Sequence, residues 1–191
     1  FISFYFWVRE VFTQKVAYLS TVLLILSPVY FHAYWFFLFK NFLALSLFFC
    51  LLIAIRKNSW WAVILLSLVL PITHQSTTVI AGVIIFIYTI IVWWRKENFW
   101  LPLGSWFLLT SVYLIYHPTV VAKLSAPPVA IFIDWLDFIQ MTWPLLILAT
   151  AGLWVLKKEI LAKTDLFAWF IVVVAFLIFS LPYHERVFLF A

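Results

Sequence analysis

The chain has 191 residues, of which 68% are hydrophobic and 10% are charged, and its mean hydropathy is +1.16. A water-soluble protein of this length cannot bury so much apolar surface, so the composition excludes a soluble globule and indicates that lipid is the solvent. The net charge of +5 comes from cations in short breaks between apolar stretches, which is not the pattern of a nucleic-acid-binding surface.

The apolar stretches predict an all-α fold, a polytopic bundle of transmembrane helices that forms a single domain over 1–191. A β-barrel would alternate polar and apolar residues, and this chain does not. We predict seven spans, at about 16–32, 35–55, 60–73, 77–94, 99–116, 138–156 and 166–182, with partial spans at both ends. Because both ends of the chain lie inside apolar runs, we expect an internal fragment of a longer protein.

Two segments differ from the other predicted elements. The span 60–73 contains Pro71 and rises only about 21 Å as a helix, less than the roughly 30 Å hydrocarbon core of a bilayer. We therefore expect its outer end, near His74, to lie below the membrane surface and against other helices. The segment 117–137 carries three prolines and a partly amphipathic stretch, which predicts an extracytoplasmic loop with a helix lying on the membrane.

The basic residues orient the predicted bundle, because they cluster in alternate breaks. Nine of the twelve fall on one side, namely Arg9, Lys15, Arg56, Lys57, Arg95, Lys96, Lys157, Lys158 and Lys163. The positive-inside rule assigns that side to the cytoplasm. All four histidines then fall on the extracytoplasmic side, and they are His32, His74, His117 and His184. This grouping predicts a polar site that faces outward.

The candidate substrate-binding residues are polar side chains of the extracytoplasmic breaks: Lys40, His74, Gln75, His184, Glu185 and Arg186. Cations pair with phosphate, while histidine, amide and carboxylate groups hydrogen-bond hydroxyls, so this set suits an anionic, hydroxyl-rich substrate. Structural alternatives stay open for each. His74 and Gln75 could belong to a helix cap, residues 184–186 could form an interfacial turn, and Lys40 could extend to the membrane surface.

Asp134 and Asp137 are spaced so that a helix would place both carboxylates on one face. They could bind a divalent cation, the one cofactor that the sequence suggests, or they could form a solvated face. Two carboxylates are too few to specify a metal site. The single cysteine, Cys50, lies among apolar residues and needs no role beyond packing.

Three stretches of the chain share a pattern with a known class of enzymes. A basic turn leads into a helix that ends at Ser27 and Pro28, and a long apolar helix follows near Asn41. The stretches LPITHQSTTVIAG, with His74, and YHERVFLFA, with Arg186, come later. Together they resemble the GT-C class of integral-membrane glycosyltransferases.

The resemblance implies an inverting glycosyltransferase that moves a sugar from a polyprenyl-phosphate carrier to a glycan, lipid or protein acceptor at the outer face of a prokaryotic cell membrane. It implies that Arg186 and Lys40 neutralise the carrier phosphate, whereas His74, Gln75 and Glu185 orient the sugar or the acceptor. The class places its acidic catalytic base in the first outer loop, which would precede Phe1. The base is therefore expected outside this chain, and the fragment alone is expected to be inactive.

Two other functions stay open from the sequence. A transporter or lipid flippase would carry ionisable groups near the centres of its spans, and such groups are nearly absent here. A non-catalytic subunit of an envelope-polysaccharide complex would not need histidines on its outer face. The histidine grouping therefore favours the transferase.

Overall fold

Seven α-helices and no strand make up the residues that the computed structural model describes, which are 1–27, 39–117, 147 and 163–178. The helices are α1 (Ile2–Val11), α2 (Gln14–Ile25), α3 (Phe39–Arg56), α4 (Trp60–Thr73), α5 (Gln75–Trp94), α6 (Trp100–Tyr116) and α7 (Thr164–Ile178). The all-α prediction is confirmed for this part of the chain. The predicted span 138–156, apart from the single helical residue 147, and the loop 118–137 lie outside the described residues.

The boundaries of α2 differ most from the prediction. The sequence predicted a span that continues to residue 32, whereas α2 ends at Ile25 and is capped by Leu26. Ser27 precedes Pro28, and a residue before proline is sterically kept out of the helical conformation. At the other end, the Thr13 side chain accepts a hydrogen bond from the backbone N–H of Val16, which fixes the start of the helix.

Helix length separates the predicted spans into two groups. Among the described residues, α3 with 18 residues and α5 with 20 are long and apolar enough to cross a membrane. The apolar helices α2, α4 and α6 are shorter, and α4 keeps the predicted bounds of 60–73. Length and composition thus support two of the predicted spans and do not confirm a seven-span bundle.

Helices α1 to α6 alternate in direction and α7 starts at the same end as α6, so the helix ends gather at two places. At one, Arg56 at the end of α3 and Arg95 after α5 both bond to the first turn of α7. We call this the basic end, defined by Arg9, Lys15, Arg56, Lys57, Arg95, Lys96 and Lys163. At the other, His117 after α6 bonds to Pro71 near the end of α4. We call this the histidine end, defined by Lys40, His74 and His117.

The core lies between α3 and its neighbours. Helix α3 packs on α1, α4 and α5, while α6 packs on α4 and α5, and α7 packs on α5. Phe48 and Leu51 of α3 and Ile84 of α5 are completely buried. A buried hydrogen bond of 2.9 Å joins Ser67 of α4 to Ser105 of α6. Small side chains at this contact let the two helices approach closely, and their hydroxyls satisfy each other.

Candidate functional site

His74 forms the corner between α4 and α5 at the histidine end. It is the only residue between the two helices, and its backbone is extended, with φ −158° and ψ 121°. Its ring nitrogen Nδ1 accepts a hydrogen bond from the backbone N–H of Thr77 at 3.3 Å, and it lies 2.9 Å from the hydroxyl of Thr77 and 3.3 Å from that of Ser76. The imidazole therefore caps the first turn of α5.

This geometry assigns the tautomer of the ring. A nitrogen that accepts from a backbone N–H carries no proton, so Nδ1 is the acceptor and Nε2 carries the ring proton. His74 thus presents an acceptor to the start of α5.

The end of α4 is capped from two neighbouring helices. His117 donates from Nε2 to the backbone oxygen of Pro71 at 3.3 Å, and its ring lies against that of Tyr113 with the centroids 5.3 Å apart. The hydroxyl of Thr78 bonds to the backbone oxygen of Leu70 at 3.1 Å. The last carbonyls of a helix have no partner within it, and His117 supplies a donor to that of Pro71. Thr78 adds a second donor to the oxygen of Leu70, which also accepts from the backbone N–H of His74. The histidine end therefore consists of interlocked helix caps.

Gln75 and Lys40 are the other predicted site residues that the structure describes at the histidine end. Gln75 is the first residue of α5 and is half-buried beside His74. Lys40 lies in the first turn of α3 and is exposed, while its neighbour Asn41 is buried. The structure brings His74, Gln75 and His117 to one end of the bundle with Lys40 at the start of α3. The remaining predicted site residues lie outside the described residues: His32, Asp134, Asp137, His184, Glu185 and Arg186.

The basic end holds a polar network that the sequence did not predict as a site. Asp165, in the first turn of α7, is only 2% exposed. One carboxylate oxygen accepts from Arg56 at 2.7 Å, and the other accepts from the indole N–H of Trp7 at 3.3 Å. Three helices, α1, α3 and α7, therefore meet at one buried carboxylate. Its position at a helix start is also favoured by the helix dipole.

Further contacts surround this carboxylate. Arg95 donates to the hydroxyl of Thr164 at 2.8 Å, and the Lys163 ammonium donates to the backbone oxygen of Val11 and lies 4.3 Å from the centroid of the Phe12 ring. The start of α7 is thus bonded to α1, to α3 and to the residue that follows α5. We call this arrangement the α7 clamp, defined by Trp7, Arg56, Arg95, Lys163, Thr164 and Asp165.

An outer ion pair lies beside the α7 clamp. Lys57 and Glu10 are 2.9 Å apart, with 55% and 30% of their side chains exposed. Glu10 lies in the last turn of α1, and the hydrogen bond from Lys57 lowers the pKa of its carboxyl group. This pair ties the end of α1 to the turn after α3.

The sequence contained a sign of the α7 clamp. Asp165 follows a lysine and a threonine and precedes a long apolar run, so it is an acid at the start of a helix. The charge pattern also placed the arginines of the other breaks on the same side as Asp165. These two observations together predict an ion pair for Asp165, but they do not say which arginine is its partner.

Among the described residues, no group of three or more histidine, cysteine, aspartate or glutamate side chains could hold a metal ion. The metal prediction for Asp134 and Asp137 falls outside those residues. In comparisons with known proteins, no family model, curated protein or solved structure matches this chain.

Proposed function

We propose that the chain is part of a multi-pass membrane glycosyltransferase of the GT-C type, which moves a sugar from a polyprenyl-phosphate carrier to an acceptor on the extracytoplasmic face. One observation carries the proposal: His74, Gln75 and His117 gather at the end opposite to the cations of the basic end. A polar end at which Lys40 is the one lysine or arginine among the described residues, on an apolar bundle oriented by its cations, suits a substrate that combines a lipid with a sugar.

The outer surface of the helices supports the membrane part of this proposal. Large apolar side chains are exposed on several helices, including Trp61 at 85%, Phe107 at 67% and Ile115 at 75%. Large exposed apolar patches are rare on water-soluble monomers. Hydrocarbon around the bundle would remove the cost of that exposure, and α3 and α5 are long enough to cross it.

The length of α4 supports a recessed position for the site. Its 14 residues rise about 21 Å, less than the roughly 30 Å hydrocarbon core. If the exposed Trp60 and Trp61 hold its start at the inner interface, its other end, at His74, lies below the outer surface. A carrier phosphate would reach this level from the lipid side, with Lys40 and Arg186 as its cations and His74 and Gln75 toward the sugar.

The test must separate a role of His74 in sugar transfer from its role as a cap. His74→Asn keeps a side-chain oxygen that can accept from the start of α5 but removes the imidazole. In the intact protein that contains this chain, we expect His74→Asn to lower transfer from a polyprenyl-phosphate sugar about 100-fold while lowering the midpoint of thermal unfolding by no more than about 2 °C. Arg186→Ala is expected to abolish transfer at unchanged expression.

Each result has a defined meaning. Wild-type turnover in His74→Asn would assign His74 to the cap alone, and wild-type turnover in Arg186→Ala would remove Arg186 from the site. Absence of transfer by the intact wild-type protein would overturn the proposed function. An acidic residue just after the first span of the full-length gene product is expected, because the GT-C resemblance requires a base there.

A non-catalytic subunit of an envelope-polysaccharide complex is the second candidate. It is favoured by the capping contacts of His74 and His117, which give both side chains a structural use. Such a subunit would leave sugar transfer unaffected by His74→Asn while its removal would disrupt the assembled complex.

A further inference from the structure

Two turns at the basic end repeat one pattern of residues. The turn between α3 and α4 reads RKNSWW over 56–61, and the turn between α5 and α6 reads WWRKENFW over 93–100. Each turn contains one residue in the left-handed region, Asn58 with φ 52° and Lys96 with φ 58°. Each therefore combines an Arg–Lys pair with exposed tryptophans at a helix end.

The two cations of each pair have different surroundings. Arg56 and Arg95 bond to the first turn of α7, at 2.7 Å to Asp165 and 2.8 Å to Thr164. Lys57 is 55% exposed in its surface pair with Glu10, and Lys96 is exposed. The arginines thus hold the bundle together, whereas the lysines project charge from its surface. A surface ion pair such as that of Lys57 contributes little to stability, so a competing anion can replace Glu10.

The basic end carries an excess of positive charge. Its described residues include the seven cations that define it and three acids, Glu10, Glu97 and Asp165. Asp165 is buried against Arg56 and does not offset the charge at the surface. The surface is therefore complementary to a layer of anions.

Exposed tryptophans surround these cations. Trp61 is 85% exposed, Trp94 is 83% exposed, and Trp93 and Trp100 are each 63% exposed. Indole rings are enriched where hydrocarbon meets lipid headgroups, because one part of the ring is apolar and its N–H needs a polar partner. A nucleic-acid surface would instead need a continuous basic stripe, without apolar helix walls directly beside the cations.

We propose that the basic end docks on the anionic headgroups of a lipid bilayer, with Lys57 and Lys96 as the main contacts to lipid phosphate. The tryptophans lie at the hydrocarbon boundary and set the depth at which the two lysines meet the headgroups. This inference rests on the membrane part of the proposed function and is independent of sugar transfer.

The test uses the full chain reconstituted in phosphatidylcholine bilayers that contain a trace of spin-labelled lipid. Electron paramagnetic resonance measures the association of spin-labelled phosphatidylglycerol relative to spin-labelled phosphatidylcholine. We expect the wild-type protein to prefer the anionic lipid, and each lysine-to-glutamine change to lower the preference by up to about fivefold. Lys57→Gln with Lys96→Gln is expected to remove most of it, and high salt is expected to have the same effect.

Matched variants separate charge at this surface from other causes. Lys57→Arg with Lys96→Arg keeps both charges and is expected to keep the preference. Retention of the preference in the double glutamine variant, or an equal loss in the double arginine variant, would overturn the inference.

Two further outcomes are decisive. Release of the protein from the bilayer by alkaline carbonate would overturn both the membrane assignment and this inference. Retention in the bilayer with no preference for phosphatidylglycerol would overturn the inference alone. Salt-resistant binding of a DNA duplex to the basic end, lost in the double glutamine variant, would assign the surface to nucleic acid instead.

Discussion

The two ends of the bundle hold their helices by different chemistry. At the basic end, charged side chains from α1, α3 and the residue after α5 close around the start of α7 and its buried Asp165. At the histidine end, neutral groups cap the helices, with His74 on α5 and His117 on α4. The histidines, which most suggested a function, therefore make structural contacts. The cations of the basic end include one half of a buried ion pair.

The physical costs of disturbing the two ends also differ. A buried carboxylate depends strongly on its cation, because an unpaired charge in an apolar interior is far less stable than one in water. A cap is one neutral hydrogen bond at the edge of a helix, and its loss costs about 1 kcal/mol. Substitutions that break the ion pair are therefore expected to lower the free energy of unfolding more than substitutions that remove a cap.

Arg56→Met is expected to have the largest effect. It leaves the carboxylate of Asp165 buried with only the indole of Trp7 as a described partner, and we expect the free energy of unfolding in detergent micelles to fall by about 3 kcal/mol. This loss is at the lower end of the range for breaking a buried ion pair, because the side chain of Arg56 is 30% exposed. Unfolding followed by loss of helical circular dichroism measures it.

Two variants test whether the loss in Arg56→Met comes from the pair. Lys15→Met removes an exposed cation of the same end and is expected to change stability by less than about 0.5 kcal/mol. Arg56→Met combined with Asp165→Leu removes both charges and is expected to recover most of the loss. No recovery in the double variant would contradict the role of the ion pair in the α7 clamp.

His74→Ala tests the cap of α5 at the histidine end. It removes the acceptor for the backbone N–H of Thr77, so we expect stability to fall by about 1 kcal/mol. His74→Asn retains an acceptor of suitable length and is expected to lose less than half of that. Equal stability of wild type and His74→Ala, measured by the same unfolding experiment, would show that Nδ1 does not cap α5.

Ser105→Ala is expected to have the smallest effect of the series. It removes one hydrogen bond between α4 and α6, and such bonds between helices in membranes contribute about 0.6 kcal/mol. Adding Ser67→Ala is expected to cost little more, since the hydroxyl that the first change left without its partner is then also gone. A loss in the single variant as large as that of Arg56→Met would remove the distinction between neutral and charged contacts.

Much of the helical fold follows from local sequence. The limits of α4 follow from the tryptophan pair at its start and the polar residues after Pro71, and they were predicted to the residue. The start of α5 lies two residues before the predicted one, because the ring of His74 caps the helix. Helix α2 ends at Ile25 and not at the predicted residue 32, because Ser27 precedes Pro28 and is kept out of the helical conformation.

Contacts between distant parts of the chain were harder to predict. Charge alternation placed His74 and His117 at one end, which the bond from His117 to Pro71 confirms. It could not select Arg56 over Arg95 as the partner of Asp165, since that choice depends on how α7 packs. A buried ion pair joins residues 109 positions apart in the sequence, and no local pattern encodes such a distance.

The central claim is that the histidine end and the basic end lie on opposite sides of a membrane, and cysteine labelling tests it directly. In a Cys50→Ser background, His117→Cys and Lys96→Cys each provide one labelling site, at the histidine end and the basic end respectively. In sealed vesicles of uniform orientation, a membrane-impermeant maleimide is expected to label one variant without detergent and the other only after detergent is added. Labelling of both cysteines from the same side would contradict a bundle that crosses the membrane with opposite ends exposed.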